Sequence, residues 1–133
     1  LKLELNADKT LITHASSQKA KFLGHEVHIL QEDSKHDPNG RRCINGNIGL
    51  SVPTKMIEEK CKKYMKNGKP IHRSQCTIDD AYSIVSQYQA EYRGVVQYYR
   101  MAYNLHTFSK LRYMTEVSLV KTLASKYRTT CAN

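Results

Sequence analysis

The most concentrated chemistry in this sequence is cationic. Between residues 41 and 73, nine basic residues stand against two acidic ones, a local balance of +7 within 33 residues. Neutralising phosphates releases condensed counterions, so the cluster predicts binding to RNA or DNA that weakens as salt rises. The alternative is that these charges only keep a surface helix soluble and bind no partner. The basic residues of this cluster are Arg41, Arg42, Lys55, Lys60, Lys62, Lys63, Lys66, Lys69 and Arg73.

Basic residues continue through the second half of the chain. Arg93 and Arg100 are seven residues apart with Gln97 between them, which predicts a phosphate-binding rail on one helix face. The later basic residues are Lys110, Arg112, Lys121, Lys126 and Arg128, with Glu116 as the one acid among them. Lys126 and Arg128 also suit the negative end of a helix dipole, so a structural role stays open for both.

The aromatic residues are nearly all tyrosines, nine of them beside two Phe and no Trp. Tyr88, Tyr92 and Tyr99 lie on an apolar helical stripe and are expected to pack in a core. Tyr98 and Tyr103 lie off that stripe, so either is a candidate to meet a ribose or a base face.

Metal-binding and nucleophilic patterns are weak. Four Cys show no C-x-x-C spacing, which predicts reduced intracellular thiols. His25 and His28 would point to opposite faces of a strand, and His72 and Cys76 have no second ligand pair nearby. Asp79 and Asp80 lie at the predicted N-terminus of a helix, where the positive end of the helix dipole favours acidic residues. We therefore expect neither a metal site nor a catalytic residue.

The whole chain has 133 residues, a net charge of +9 and 40% apolar residues. That size fits one domain, or the tail of one domain plus a second small one, and argues against a large self-contained enzyme. No apolar run approaches the roughly 18 residues of a membrane span, and residues 1–5 lack the apolar stretch of a signal peptide. The lack of an initiator Met predicts a fragment of a longer cytosolic or organellar protein.

The first half of the chain shows strand signals. Alternation at Leu1, Leu3 and Leu5 predicts a strand, and a second apolar stretch follows at Leu11 and Ile12. Residues 22–29 predict another strand, in which Gly24 marks a bulge or a close backbone approach. Residues 31–40 are polar and predict a mobile linker. Asn45-Gly46 predicts a hairpin between strands at 41–44 and 47–52, although Gly49 weakens the second strand.

The second half shows helical spacing. Helices are predicted at about 54–66, closed by Asn67-Gly68, at about 78–102 after a Thr77/Asp80 capping box, and at about 107–128. Three amphipathic helices bury their apolar stripes against one another. The predicted fold class is α+β, with short strands and a β-hairpin followed by a three-helix bundle.

Four motifs in order resemble group II intron reverse transcriptases, the intron-encoded maturases. Residues 3–12 (Leu-Glu-Leu-Asn-Ala-Asp-Lys-Thr-Leu-Ile) and 22–27 (Phe-Leu-Gly-His-Glu-Val) resemble the end of that family's palm. Residues 88–99 (Tyr-Gln-Ala-Glu-Tyr-Arg-Gly-Val-Val-Gln-Tyr-Tyr) and 118–127 (Ser-Leu-Val-Lys-Thr-Leu-Ala-Ser-Lys-Tyr) resemble helices of its thumb, domain X. The resemblance covers nearly the whole chain.

This resemblance implies a domain plan and a function. Residues 1–30 would end the palm, with Phe22, Leu23 and Gly24 as the primer grip, a tight hairpin that presents backbone to the primer's 3′ end. Residues 31–53 would form the linker and hairpin, and 54–133 the thumb. The family's catalytic aspartate motif and its fingers would precede Leu1. The chain alone is therefore expected to lack polymerase activity and cofactor, whereas the parent polymerase site would use Mg²⁺.

The expected partners follow from the same resemblance. They are group II intron RNA, whose splicing the chain would support, an RNA template–DNA primer duplex, and the fingers and palm of the parent reverse transcriptase, but no membrane. The expected location is the bacterial cytoplasm, or a mitochondrion or chloroplast. Two alternatives remain: a stand-alone basic helical module for nucleic acid, and a helical adaptor for protein partners.

Overall fold

The computed structural model describes residues 3–131, which divide after Ser51 into two compact units. We call residues 3–51 the sheet unit and residues 52–131 the helical unit. Strands dominate the first and helices the second, which confirms the predicted α+β fold class. The elements are β1 (Ala20–Phe22), β2 (His25–Ile29), β3 (Ile48–Ser51), α1 (Thr54–Lys62), β4 (Met65–Lys66), β5 (Lys69–Pro70), α2 (Ala81–Tyr98) and α3 (Ser109–Tyr127).

Three antiparallel strands in the order β1-β2-β3 form the sheet unit. The pair Phe22↔His25 closes the β1–β2 ladder, so Leu23 and Gly24 alone make the turn. Their φ angles are +46° and +76°, and two successive positive φ angles characterise a type I′ hairpin turn. The single strand predicted over residues 22–29 is therefore wrong, because Gly24 is the second residue of a tight turn, whereas the tight hairpin that the family resemblance implies at Phe22, Leu23 and Gly24 is present.

The third strand has a different partner from the one its sequence predicts. β3 pairs with β2, from Glu26↔Ser51 to Ile29↔Ile48, and residues 41–44 form no strand. Gly46 does turn the chain, at φ +87°, but the predicted hairpin around it is wrong. Gly49 has a positive role in β3, because a Cβ there would lie 2.7 Å from the Leu30 side chain that fills the space.

The first described residues, 3–12, contain no strand. A short 3₁₀ turn at Ala7–Lys9 is capped by Asn6, whose side chain accepts hydrogen bonds from two backbone N–H groups. The strand predicted at residues 1–5 is absent from residues 3–5, and its first two residues lie outside the described range. Residues 31–40 form a loop, as the polar sequence predicts, and its mobility stays a prediction.

Helix α1 is shorter than predicted because Asn67-Gly68 forms a hairpin turn. α1 ends at Lys62, and β4 and β5 then pair through Met65↔Pro70 and Lys66↔Lys69. Asn67 and Gly68 have φ angles of +51° and +76°, again a pair that a type I′ turn needs. The glycine therefore closes a hairpin rather than a helix.

The two long helices have well-defined ends. Asp80 caps α2 by accepting a hydrogen bond from Ser83 N at 3.3 Å, whereas Thr77 ends a preceding 3₁₀ turn, so the predicted Thr77 cap is wrong. α3 ends at Arg128, whose φ of +52° places it in the left-handed conformation typical of a helix C-terminus. Both helices are shorter than predicted: α2 has 18 residues against about 25 in the predicted range 78–102, and α3 has 19 against about 22 in 107–128.

A single core holds the helical unit together. Ile57 and Cys61 from α1, Ile84 and Tyr88 from α2, and Leu111 from α3 are all buried. α1 and α2 each pack mainly on α3. Three amphipathic helices therefore form a small bundle, as predicted.

The buried face of α3 carries hydroxyl groups, which the apolar pattern did not predict. Its buried residues are Leu111, Thr115, Ser118 and Thr122, whereas Val120 and Tyr127 of the same helix are exposed. The reason is Tyr88, whose hydroxyl lies 3.0 Å from Ser118 Oγ and 2.9 Å from Thr122 Oγ1. A buried phenol needs hydrogen-bond partners, and these two side chains supply them.

Candidate nucleic-acid interface

The strongest candidate surface consists of α1 and the β4–β5 hairpin. We call Lys55, Lys62, Lys66 and Lys69 the lysine patch, and all four side chains are exposed. In the hairpin, Lys66 and Lys69 are directly opposed. Like charges directly across two strands repel each other and destabilise the pair. An anionic partner on this hairpin would remove that repulsion.

The acids nearest to the lysine patch in sequence are Glu58 and Glu59 of α1, one helical turn from Lys62 and Lys55. Among residues 3–131, none of the patch's four ammonium groups forms an ion pair. Five ion pairs do form in the same range, so acidic side chains are within reach of other cations. The patch is thus left as a positively charged surface that can accept phosphates.

Arg73 was predicted to bind RNA, but its position does not fit that role. Its side chain is 6% exposed, and its guanidinium lies 5.2 Å from the Tyr88 ring centroid and 5.9 Å from that of Tyr64. NH1 donates to Glu91 at 3.2 Å. We therefore correct the assignment, because a buried cation with an internal counterion is a structural element of the bundle.

Glu91 is the centre of a polar network that the sequence analysis missed. Its carboxylate accepts hydrogen bonds from Tyr64 Oη at 2.5 Å, Arg73 NH1 at 3.2 Å and Gln87 Nε2 at 3.4 Å, and pairs with Lys63 Nζ at 2.8 Å. A signal was present, since Glu91 continues the core spacing of Ile84 and Tyr88. An acid on an apolar stripe predicts a buried partner.

The network shifts two ionisation equilibria. Partial burial alone would raise the pKa of the Glu91 carboxyl, but hydrogen bonds from Lys63 and Tyr64 and the charge of Arg73 outweigh it and lower that pKa below 4.5. Burial first, and then the hydrogen bond to Glu91, raise the pKa of the Tyr64 phenol. Glu91 therefore stays ionised and Tyr64 stays protonated at neutral pH.

Several other predicted RNA-binding cations have partners inside the protein. Lys121 Nζ donates to Pro70 O at 2.8 Å and Lys126 Nζ to Thr77 O at 3.1 Å. These two lysines tie α3 to the segment before α2, which gives both a structural role. The exposed pairs are Arg112–Glu116 at 2.7 Å and Arg42–Asp33 at 3.0 Å. The exposed Arg41, Lys110 and Arg128 have no ion pair among residues 3–131.

The predicted rail on α2 is only partly formed. Arg93 and Gln97 lie one turn apart on α2 with exposed side chains, but the helix ends at Tyr98. Arg100 follows in a turn, so its predicted place on the same helix face is wrong. Whether any of the three binds RNA stays a prediction.

The tyrosines divide as predicted between core and surface. Tyr88 and Tyr99 are buried and Tyr92 packs against the same core, whereas Tyr98 and Tyr103 are more than half exposed. In the sheet unit, Phe22 and Leu23 are also largely exposed beside the Gly24 turn. That tight hairpin is compatible with the predicted primer grip, which stays a prediction.

Two classes of site receive no support within the described part of the chain. Residues 3–131 contain no cluster of three His, Cys, Asp or Glu side chains placed to hold a metal ion. No helix in this range is long and apolar enough to cross a bilayer. The basic surfaces are therefore the main candidate for function.

Comparison with known proteins assigns the chain to a family. Residues 46–133 match the family model for type II intron maturases. The chain belongs to the type II intron maturase family. This confirms the predicted resemblance, and the match spans the whole helical unit with the lysine patch.

Individual relatives agree over almost the full chain. The chain is 32% identical, over 98% of its length, to a protein of Lactococcus lactis subsp. cremoris named group II intron-encoded protein LtrA. It is also 32% identical, over 96% of its length, to the putative COX1/OXI3 intron 1 protein of Saccharomyces cerevisiae. It spans 23% and 17% of these two relatives.

Proposed function

We propose that the chain binds group II intron RNA through the lysine patch and thereby supports splicing. The opposed Lys66 and Lys69 carry this proposal, since a hairpin that sets two like charges against each other gains most from an anionic ligand. Lys62 at the end of α1 extends the same charge. Family membership supplies the RNA, because the relatives are named for introns.

Family membership also weighs against the two alternatives. A stand-alone basic module for duplex nucleic acid explains the charge but not the match to maturases. A protein-interaction adaptor leaves the uncompensated lysine patch without a role. Salt-insensitive binding to a protein partner would favour the adaptor.

The RNA proposal is tested by titrating a structured intron RNA with the 133-residue chain at several salt concentrations. Affinity is expected to fall steeply with salt. The triple variant Lys62→Gln, Lys66→Gln, Lys69→Gln should flatten the log–log slope by about 2, since each lost phosphate contact removes about 0.7 to 0.9. The result is measured by fluorescence polarisation.

A charge-matched control separates the patch from net charge. Lys9→Gln, Lys21→Gln, Lys35→Gln removes three exposed lysines of the sheet unit and lowers the total charge equally. This variant should keep most of the wild-type affinity and slope. Equal losses in both triple variants, or binding that ignores salt, would contradict the proposal.

We further propose that, in a longer protein with a polymerase palm, this chain positions the template–primer duplex. The β1–β2 turn would hold the primer end, and Mg²⁺ would act at the palm. The bacterial cytoplasm, a mitochondrion or a chloroplast remains the proposed location. Support comes from the turn geometry, in which two residues hold positive φ angles.

The primer grip is tested with two turn variants of that longer protein. Gly24→Val places a β-branched residue at φ +76° and should distort the turn, whereas Leu23→Asn suits φ +46° and should keep it. A displacement of about 1 Å can slow chemistry by on the order of a hundredfold. In Gly24→Val, primer extension should therefore fall far more than intron binding. Leu23→Asn should leave both close to wild type. Parallel losses would refute the grip.

A further inference from the structure

A groove separates α1 from α2 on one side of the helical unit. Both helices rest mainly on α3, and between them lie two adjoining hollows of about 180 Å³ and 570 Å³. Lys60, Glu91 and Val95 line both hollows. Lys60 belongs to the basic cluster identified in the sequence, but its place beside this groove depends on how α1 and α2 pack and could not be predicted.

The walls of the groove combine flat apolar surface with positive charge. Tyr92 and Leu111 line the smaller hollow, and Tyr98 and Tyr99 line the larger one. Lys60 and Lys63 stand at the α1 side. The one acid, Glu91, already accepts hydrogen bonds from Tyr64 and Arg73 and pairs with Lys63, so its charge is offset within the protein.

The Tyr98 ring, which lines the larger hollow, is held in position by its neighbour. It lies edge-to-face on Tyr99, with ring centroids 4.9 Å apart, and 57% of its surface is still exposed. An aromatic ring held by a neighbour loses little freedom when a base stacks on it. Such stacking tolerates any base, because every base has a π face.

We propose that this groove binds one unpaired base of the RNA, with the base against Tyr98 and Val95 and its phosphate at Lys60. The proposal rests on the RNA-binding function proposed above and names a subsite for it. Paired bases are stacked inside a duplex, so only an unpaired or bulged nucleotide can enter a groove. The subsite would let the chain distinguish folded intron RNA from a plain duplex.

Charge complementarity favours RNA over a protein segment as the occupant. Lys60 lies on α1, which also carries Lys55 and Lys62 of the lysine patch. At 3.6 residues per turn, Lys60 lies about 140° around α1 from Lys55, on the side of Lys63, so a strand that crosses α1 from the lysine patch would bring a phosphate to Lys60 at the groove. A protein segment would need a matching acidic sequence, and that outcome is included in the test.

Gly94 gives direct experimental access to the groove. It lies in the middle of α2 and lines the larger hollow, and a Cβ at this position would meet no atom within 4 Å. Glycine inside a helix is unfavourable relative to alanine, so its replacement should not weaken α2. A bulky side chain here would fill the hollow.

The experiment compares Gly94→Leu with Gly94→Ala in the 133-residue chain. Two RNAs of equal length are titrated, one a perfect duplex and one with an unpaired 2-aminopurine nucleotide in a bulge. Gly94→Leu should weaken binding of the bulged RNA about tenfold, the loss expected for one base stack, and the duplex less than twofold. Gly94→Ala should leave both affinities near wild type.

A second pair of variants tests the stacking ring. Tyr98→Ala should reduce the affinity for bulged RNA and abolish the 2-aminopurine fluorescence change that wild type produces. Tyr113→Ala is the control, because Tyr113 has a similar exposure of 59% but lies on α3 outside the groove. Thermal melts monitored by circular dichroism check that all four variants fold.

Each outcome decides between the subsite and the underlying function. Equal losses for bulged and duplex RNA, or no loss in Gly94→Leu, would overturn the base subsite while leaving RNA binding intact. An acidic peptide that binds wild type but not Gly94→Leu, without any RNA effect, would assign the groove to a protein. If wild type bound neither RNA, the proposed function itself would fail and the subsite with it.

Discussion

The sheet unit and the helical unit differ in how they bury apolar side chains. Every buried hydrophobic residue within the described range lies at or beyond Val52, in the helical unit. In the sheet unit, Leu3, Leu5, Leu11 and Ile12 are between 84% and 102% exposed. The helical unit therefore owes its order to its own core, whereas the sheet unit depends on backbone pairing and the two-residue β1–β2 turn, which rarely suffice alone.

Separating the units should give the largest effect. A peptide of residues 52–133 should unfold cooperatively, because it retains the whole core, and a peptide of residues 1–51 should show no cooperative transition. Circular dichroism melts and amide hydrogen exchange measure both. Protected amides in β1–β3 of the isolated peptide would contradict this contrast.

The loss of a cation should reduce the free energy of unfolding much more in the helical unit than in the sheet unit. Arg73→Ala in the helical unit removes a buried partner of Glu91 and should cost about 3–5 kcal/mol of unfolding free energy. Arg42→Ala in the sheet unit removes only an exposed pair with Asp33 and should cost less than about 1 kcal/mol. Urea titrations measure both variants, and a similar cost for the two would show that Arg73 is not the structural cation we assign.

Replacing one isoleucine by alanine in each unit tests the same difference in burial. Ile84 is fully buried in α2, so Ile84→Ala should cost about 2–5 kcal/mol. Ile29 in β2 is only half-buried, and Ile29→Ala should cost clearly less. The same urea titrations apply, and a larger loss for Ile29→Ala would mean that the sheet unit has a core of its own.

The pH dependence of stability should show the smallest effect. The pKa of Glu91 is lowered in the folded state, so the carboxylate stabilises the fold above its unfolded pKa, near 4.5, and this contribution is lost as pH falls through the folded pKa. At neutral pH, the urea midpoint of unfolding should therefore be higher for wild type than for Glu91→Gln. The difference between the two midpoints should shrink below pH 4.5.

An exposed acid of the same unit provides the control for this pH experiment. Glu116 pairs with Arg112 on the surface of α3, and both side chains are more than half exposed. Glu116→Gln should change the urea midpoint little at neutral pH. A gap between wild type and Glu91→Gln that stayed constant with pH would exclude ionisation of Glu91 as its cause.

The sequence predicted the helices well because their apolar spacing is local information. It failed at the two Asn-Gly pairs, where the same dipeptide serves either a hairpin or a chain reversal. Asn67-Gly68 closes the β4–β5 hairpin, although it follows a helical pattern, while the chain before Asn45-Gly46 forms no strand. Pairing partners decide between these outcomes, and they are distant in sequence.

The candidate interface was predictable only in its outline. Charge clustering pointed to α1 and its surroundings, but it could not separate the exposed Lys62 from the buried Arg73. That difference depends on Glu91, which is 18 residues further along the chain. Likewise, nothing in the local pattern shows that Lys60 and Gly94 line one groove.

The packing of α1 and α2 on α3 has a consequence for synthesis on the ribosome. The helix made last supports the two made first. Translation adds about 5–20 residues per second, so about 3–13 s pass between the synthesis of Lys62, the end of α1, and that of Tyr127, the end of α3. During that interval the apolar faces of α1 and α2 lack the helix that covers them, so the nascent chain exposes apolar surface of the kind that chaperones bind until α3 is complete.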